Sequence, residues 1–328
     1  MRVAVIGLGP IGALISKVLL ERSGTHIVAG MDIAADKVGK DLGKVIGVKE
    51  SLGVTVTDDI RTIIKSQPDV AILSTTSHFP WLADQALPLL DNGIHVVTTC
   101  EEAVFPHYKY PVVATEVDEV AKSMQVAFLG VGINPGFMMD YWPATVAATV
   151  PRVKHVHVTR LVNLSERRAR LQQKLGAGMT REEAEAKLQE KKLGHVGLEV
   201  SAHLLAHALG WTLEQATESA EILLAEEPVP WYQGTLEPGR VKGLRQTLVA
   251  TVNGEERIRL TLEMSLGLAN AGDTVEIDGP VPAHVHMAPI SGDWATASIV
   301  ANALRRVVVA EPGLRTVLDI PPLVGLGE

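Results

Sequence analysis

Residues 3–21 read VAVIGLGPIGALISKVLLE: a short apolar run, then Gly7-Leu8-Gly9-Pro10-Ile11-Gly12, then a stretch with helical spacing. This order decides the fold. A glycine-rich turn that leaves a buried strand and opens a helix is the fingerprint of a dinucleotide-binding βαβ unit. Gly7 permits the tight turn, Gly9 lets the backbone approach a pyrophosphate, and Gly12 allows helix and strand to pack closely. Pro10 and Ile11 begin a helix whose free N–H groups and partial positive charge attract phosphate. Twenty residues beyond Gly12, at the end of the next apolar run, stands Asp32, placed to accept hydrogen bonds from the adenosine ribose hydroxyls. Its charge favours NAD(H). Lys37 and Lys40 are near enough in sequence to meet a 2′-phosphate if their loop curls back, which keeps NADP(H) open.

Outward from the fingerprint, apolar runs at 3–6, 26–31, 54–57, 70–74, 95–98 and 126–129 alternate with helical patterns at 11–21, 59–65, 80–92 and 113–123. Their continuous apolarity suits strands buried on both faces of a doubly wound parallel sheet, the Rossmann-type α/β fold. After Gly130 the rhythm changes. Residues 153–162 alternate, 167–192 are charged and helical, and 198–209 form an apolar helix. Runs 241–252 and 256–266 flank Asn253-Gly254, a strong hairpin signal, and 274–277 adds a third strand. The expected organisation is a dinucleotide-binding domain over 1–135, an α+β substrate and dimerisation domain over 136–286, and a segment 287–328 that returns to the first. The alternation over 241–266 would expose an apolar sheet face, so a homodimer is expected to cover it.

Composition narrows the function. Thirty Lys and Arg against 38 Asp and Glu give a net charge of −8, the wrong sign for a nucleic-acid partner. No apolar run approaches the roughly 20 residues of a membrane span, no leader precedes the first strand, and a single cysteine forms no disulfide; a cytoplasmic chain is expected.

Candidate chemistry gathers at strand ends. Ser74, Thr75 and Thr76 follow the fourth strand, on the carboxyl edge where open sheets bind ligands. The fifth ends in Thr98-Thr99-Cys100-Glu101-Glu102, two carboxylates available for acid–base work, of which one faces the substrate. Cys100 has no basic neighbour and reads as a small buried residue. The turn 130–137 offers Asn134 and Pro135 to a nicotinamide carboxamide before a helix from Met138. His195, Glu199, His203 and His207 step by four residues, but their apolar surroundings and the lack of a third ligand argue against zinc, and His195 is better placed as a pocket residue. His155/His157 and His284/His286 put paired imidazoles on strand faces, the pattern of a surface or dimer contact.

These motifs resemble the 2,4-diaminopentanoate dehydrogenases and the native amine dehydrogenases grouped with them, distant relatives of dihydrodipicolinate reductase. The matching stretches are 3–12, 36–47 (DKVGKDLGKVIG), 98–106 (TTCEEAVFP), 132–140 (GINPGFMMD), 174–183, 194–199 (GHVGLE), 241–246 (VKGLRQ) and 293–304. The resemblance implies NAD(P)H-dependent interconversion of a small ketone plus ammonia with a primary amine, and maps the family's active-site glutamate onto Glu101-Glu102, placed here at Glu102. The residues themselves, apart from the resemblance, make Thr99 and Asn302 candidates at the cofactor, and Phe137, Met138, Met139, Tyr141, Trp142, Leu161, Asn163 and His195 candidates around the substrate; apolar walls among these are expected to raise the pKa of Glu102. The histidine-rich stretch and Ser-Gly-Thr motif of dihydrodipicolinate reductase are missing, and the lysine that follows the glutamate in related sugar oxidoreductases is absent, Glu102 standing in its place. 2,4-Diaminopentanoate dehydrogenase proper, and an amino-acid or hydroxy-acid dehydrogenase of related fold, remain alternatives.

Overall fold

The apolar runs of the first third become parallel strands because both of their faces are covered by helices. In a computed structural model that describes residues 1–325 and 327, with Glu166 by its backbone alone, the chain divides into two units, Met1–Phe137 with Ser291–Glu328, and Met138–Ile290. The first unit runs β1 (Arg2–Ile6), α1 (Pro10–Leu20), β2 (His26–Met31), α2 (Leu42–Ile46), β3 (Val56–Thr57), α3 (Ile60–Lys65) and β4 (Val70–Leu73). It continues through α4 (Phe79–Leu90), β5 (His95–Thr98), α5 (Pro111–Ser123) and β6 (Ala127–Gly130). Asp41 and Asp59 cap α2 and α3 with their side chains, as short helices that begin between strands require.

The second unit holds α6 (Tyr141–Ala147), β7 (His155–Asn163), α7 (Ala169–Lys174), α8 (Arg181–Gln189), α9 (Leu198–Ala208) and β8 (Gln215–Leu224). A small hairpin, β9 (Val229–Trp231) with β10 (Gly234–Leu236), precedes β11 (Val241–Val252), β12 (Glu255–Ser265), β13 (Gly272–Asp278) and β14 (Ala283–Met287). The chain then rejoins the first unit as α10 (Gly292–Val307) and β15 (Gly313–Arg315).

The first sheet has the order β15-β6-β5-β4-β1-β2-β3 with every pairing parallel. Val3, Ala4, Val5 and all of β4 are fully buried, which explains their unbroken apolarity. α10 packs on α1 and β5, and β15 extends the sheet beyond β6.

The second sheet has the order β14-β13-β7-β12-β11-β8, with β7 and β12 parallel and the other neighbours antiparallel. Asn253 (φ 54°) and Gly254 (φ 75°) form the tight turn of its central hairpin. One face carries Val156, Val158, Leu248, Ile258, Leu260, Val275 and Ile277, all buried, and α9 packs across β8, β11 and β12. This corrects the ground given for a dimer: the apolar face is covered within the chain. The other face is polar, with His155, His157, Thr159, Thr247, Arg259 and Thr261 in register.

Three further expectations change. The helical stretch 167–192 breaks into α7 and α8 at Gly176 and Gly178, both at positive φ (78° and 87°). The helix expected from Met138 begins at Tyr141, with Asp140 as its cap. His195 lies ahead of α9, separated from it by Gly197 at φ 131°, so it does not share a helical face with Glu199, His203 and His207. Among the described residues no helix is long and apolar enough to cross a membrane, and no group of three or more His, Cys, Asp or Glu could hold a metal ion.

Candidate active site

Two loops at the carboxyl edge of the first sheet hold the candidate residues. The first follows β1. A Cβ on Gly12 would lie 1.9 Å from the Gly7 carbonyl oxygen, and one on Gly7, itself at φ 86°, would lie 2.6 Å from that of Ser74. Both glycines are therefore required by close approach of backbone to backbone. Gly9 differs, because nothing lies within 4 Å of its missing side chain. Gly9 is also the N-cap of α1 with no side-chain cap, so the helix start is left for an outside acceptor, and Pro10 and Ile11 form its first turn.

Asp32 braces this turn from the end of β2. Its carboxylate accepts from the Leu8 amide (2.9 Å) and the Ala34 amide (2.9 Å). Lys37 Nζ donates to it at 2.7 Å and to the Leu8 carbonyl at 3.0 Å. Burial pushes the Asp32 carboxyl up, but Lys37 and the two amides hold it below the ordinary carboxylate range. Lys37 thus stands paired with Asp32 and offsets its charge. Nearby, Ser74 Oγ donates to the Gly7 carbonyl (2.7 Å), Thr75 Oγ1 donates to Gln85 (2.8 Å), and Thr76 Oγ1 accepts from the His78 amide (3.1 Å). On α10, the Asn302 Oδ1 is buried with no hydrogen-bond partner among the described residues. An open glycine, an uncapped helix start and an orphaned amide oxygen fit a dinucleotide.

The second loop follows β5. Thr98, fully buried, donates from Oγ1 to the Leu73 carbonyl (2.9 Å) and accepts from the Cys100 amide (3.0 Å), while the Thr99 amide donates to the same Leu73 carbonyl (3.1 Å). A 3-10 turn, Glu101–Val104, follows at once. It packs against the end of β6, where a Cβ on Gly130 would stand 2.4 Å from the Ala103 carbonyl oxygen. Burial pushes the Cys100 thiol up to about 12, which leaves it inert at neutral pH.

Glu102 points inward from this turn with only 4% of its side chain exposed, and Glu101 is half-buried beside it. Oε2 accepts from the Phe79 amide at 3.0 Å. Helix α4 has no side-chain cap of its own from His78, so the carboxylate of Glu102 caps it from a distance. Oε1 accepts from Lys109 Nζ at 2.7 Å and from the Tyr110 hydroxyl at 3.1 Å, and His78 Nδ1 stands 3.6 Å from Oε2.

The expected rise in the pKa of Glu102 does not occur. Burial does push it upward, but Lys109, the Phe79 amide and Tyr110 together bring it below its ordinary value. The Lys109 ammonium, although partly desolvated, is held above its usual value by Glu102, and burial beside that carboxylate raises the Tyr110 phenol. A lysine does therefore serve this glutamate, brought from seven residues downstream rather than from the next position. Asn134 is nearly buried and joined to Pro135 by a cis peptide, and Phe137 is half-buried.

In the second unit, Met138 and Met139 are fully buried, and Tyr141 and Trp142 open α6 half-buried. Leu161 and Asn163 fall on one face of β7, aligned with Glu263 and Ser265, and the Asn163 side chain accepts from the Ser165 amide (3.0 Å). His195 is tied by its backbone to the Gln246 side chain (2.7 and 3.1 Å), which aligns with Leu262 and Arg160 on the opposite face. The register thus separates these proposed pocket residues. Residues that sequence reasoning missed are Lys109, Tyr110 and Phe79; the sequence signal available for the first two was their place just after the Pro106 of the glutamate loop.

Residues 137–326 match the family model of the 2,4-diaminopentanoate dehydrogenase C-terminal domain, and residues 1–99 match that of the dihydrodipicolinate reductase N-terminus. The chain is 29% identical to a 2,4-diaminopentanoate dehydrogenase of Acetoanaerobium sticklandii, covering 98% of this chain and 93% of that protein. Among solved structures, an amine dehydrogenase from Mycobacterium smegmatis superposes with a TM-score of 0.87 at 23% identity, over 99% of this chain and 97% of that one. A protein from Thermotoga maritima described as a "probable dehydrogenase" gives a TM-score of 0.61 at 13% identity, over 97% of this chain and 92% of that one.

Proposed function

The chain belongs to the 2,4-diaminopentanoate dehydrogenase family, and from that premise we propose that it is an NAD(P)H-dependent amine dehydrogenase. It aminates a ketone reductively with ammonia and, in reverse, deaminates the primary amine oxidatively. The observation that carries this reading is Glu102: a buried carboxylate on the same sheet edge as the glycine turn, held by donors from two other segments.

Ammonium gives a proton to Glu102 and the ammonia adds to the carbonyl carbon to give a carbinolamine; return of that proton to the carbinolamine hydroxyl lets it leave as water and leaves an iminium cation. When bound, a nicotinamide cofactor supplies the hydride that reduces the iminium carbon. Glu102 takes the proton shed by the attacking nitrogen and balances the charge of the cation, roles worth about 10²–10⁴-fold for a positioned base. Lys109 and Tyr110 donate to Oε1 and the Phe79 amide to Oε2, the oxygen with fewer hydrogen bonds, which also has His78 Nδ1 at 3.6 Å. Gly9, the start of α1 and Asn302 hold the cofactor, and the Asp32–Lys37 pair receives its adenosine ribose.

NADH and NADPH oxidation measured with a panel of small ketones, with and without ammonium, tests this. Oxidation that requires both ketone and ammonium is expected; equal rates without ammonium would make the chain a carbonyl reductase instead. In the oxidative direction, comparing 2,4-diaminopentanoate with simple primary amines assigns the substrate class.

A further inference from the structure

Glu102 faces a physical difficulty that its own segment does not solve. With 4% of its side chain exposed it has lost nearly all its hydration, and a carboxyl so placed stays neutral unless charge or hydrogen bonds stabilise the anion. A neutral carboxylic acid could neither take a proton nor balance an iminium. Among the described residues, it is faced by Lys109 and Tyr110 from the segment that leads into α5 and by His78 at the start of α4, with Glu101 and Cys100 on its own turn, while the packed strand β6 is apolar. Of these only Lys109 brings a full positive charge to within hydrogen-bond distance.

Lys109 is also suited to leave that charge usable. Its side chain is 43% exposed, so solvent screens the ammonium, and its Nζ lies 5.2 Å from the Tyr110 ring centroid, which fixes the stem. One Glu102 oxygen goes to Lys109 and Tyr110 and the other to the α4 amide, which locks the carboxylate rotamer.

We propose that Lys109 is the positioning residue of this reaction, fixing both the orientation and the negative charge of the Glu102 carboxylate. The proposal rests on the reading of Glu102 as the base.

The test compares wild type with Lys109→Met, which keeps the stem and removes the charge, and Lys109→Arg, which restores it. The Glu102 carboxyl is followed by 13C NMR of protein labelled at glutamate side chains, its signal identified by its loss in Glu102→Gln, alongside the pH profile of kcat/KM and the Kd for NADH. In Lys109→Met the Glu102 titration and the acid limb of the profile should both move upward by about 1–3 pH units, with NADH affinity unchanged, and Lys109→Arg should return both toward wild type. An unmoved titration in Lys109→Met, or no recovery with Arg, overturns the proposal. If no ketone is turned over, the functional reading fails while the NMR titration still decides the case of Lys109. Should Lys109→Met fail to fold, Lys109→Gln carries the same titration.

Discussion

Two turns on the same sheet edge solve the same electrostatic problem in different ways. At the turn after β1, the acid of Asp32 comes from the end of β2, meets Lys37 at 2.7 Å and spends its other bonds on two backbone amides, that of Leu8 in the turn, 24 residues away, and that of Ala34 beside it. After β5, the acid of Glu102 meets Lys109 at the same 2.7 Å, but its remaining bonds reach the start of α4 and Tyr110. The first arrangement fixes backbone shape around an opening beside Gly9. The second fixes one side chain. A cofactor turn needs free amides and room, whereas a base needs a defined rotamer and charge, and only bonds from several elements hold a side chain in place.

Predictions can break or sharpen that contrast. The largest effect belongs to Glu102. Glu102→Gln keeps the acceptor for the Phe79 amide but loses the charge, so kcat should fall by about 10²-fold or more with NADH affinity almost unchanged. Glu102→Ala should lose the cap as well, lowering stability by a further 0.5–2 kcal/mol or so in urea unfolding, where Gln does not.

Gly12→Ala tests the other turn. A methyl group 1.9 Å from the Gly7 carbonyl forces α1 away from β1, and we expect a stability loss of about 1–3 kcal/mol together with weakened NADH binding. Unchanged thermal unfolding and NADH Kd would contradict the packing role of Gly12.

Lys37→Met should bare the charge of Asp32 and raise the Kd for NADPH relative to NADH by about fivefold, equivalent to about 1 kcal/mol for a partly exposed pair. An unchanged ratio, measured by nucleotide fluorescence, would mean that Asp32 does not face the ribose. The smallest effect is Glu101→Gln: Glu101 opens only a short 3-10 turn, so we expect about 0.3–1 kcal/mol in stability and little change in kcat. A loss of activity there comparable to Glu102→Gln would move the base to Glu101.

The same contrast explains what could be read from the residues alone. The glycine turn was legible because its parts are contiguous and each glycine has one geometric reason. The Asn253-Gly254 hairpin was legible for the same cause. Glu102 could be placed by its position beyond β5, but its partners are 7, 8 and 23 residues away, and no periodicity connects them. The sign of its pKa shift went wrong with them, since burial was visible in the pattern and Lys109 was not. In the second sheet, β8 was missed because it is an edge strand with an exposed QATES start that shows no alternation. The alternation of β11 and β12 was read correctly as one apolar face, but α9, the helix that packs on their sheet, could not be assigned to it from sequence spacing.

The most direct test of the central claim follows the nitrogen. The enzyme is incubated with NADH, a ketone that it turns over and 15N-ammonium, and the product is analysed by mass spectrometry. We predict one 15N-labelled primary amine formed for each NADH oxidised, with the yield collapsing in Glu102→Gln. An unlabelled alcohol formed in step with NADH oxidation would contradict it.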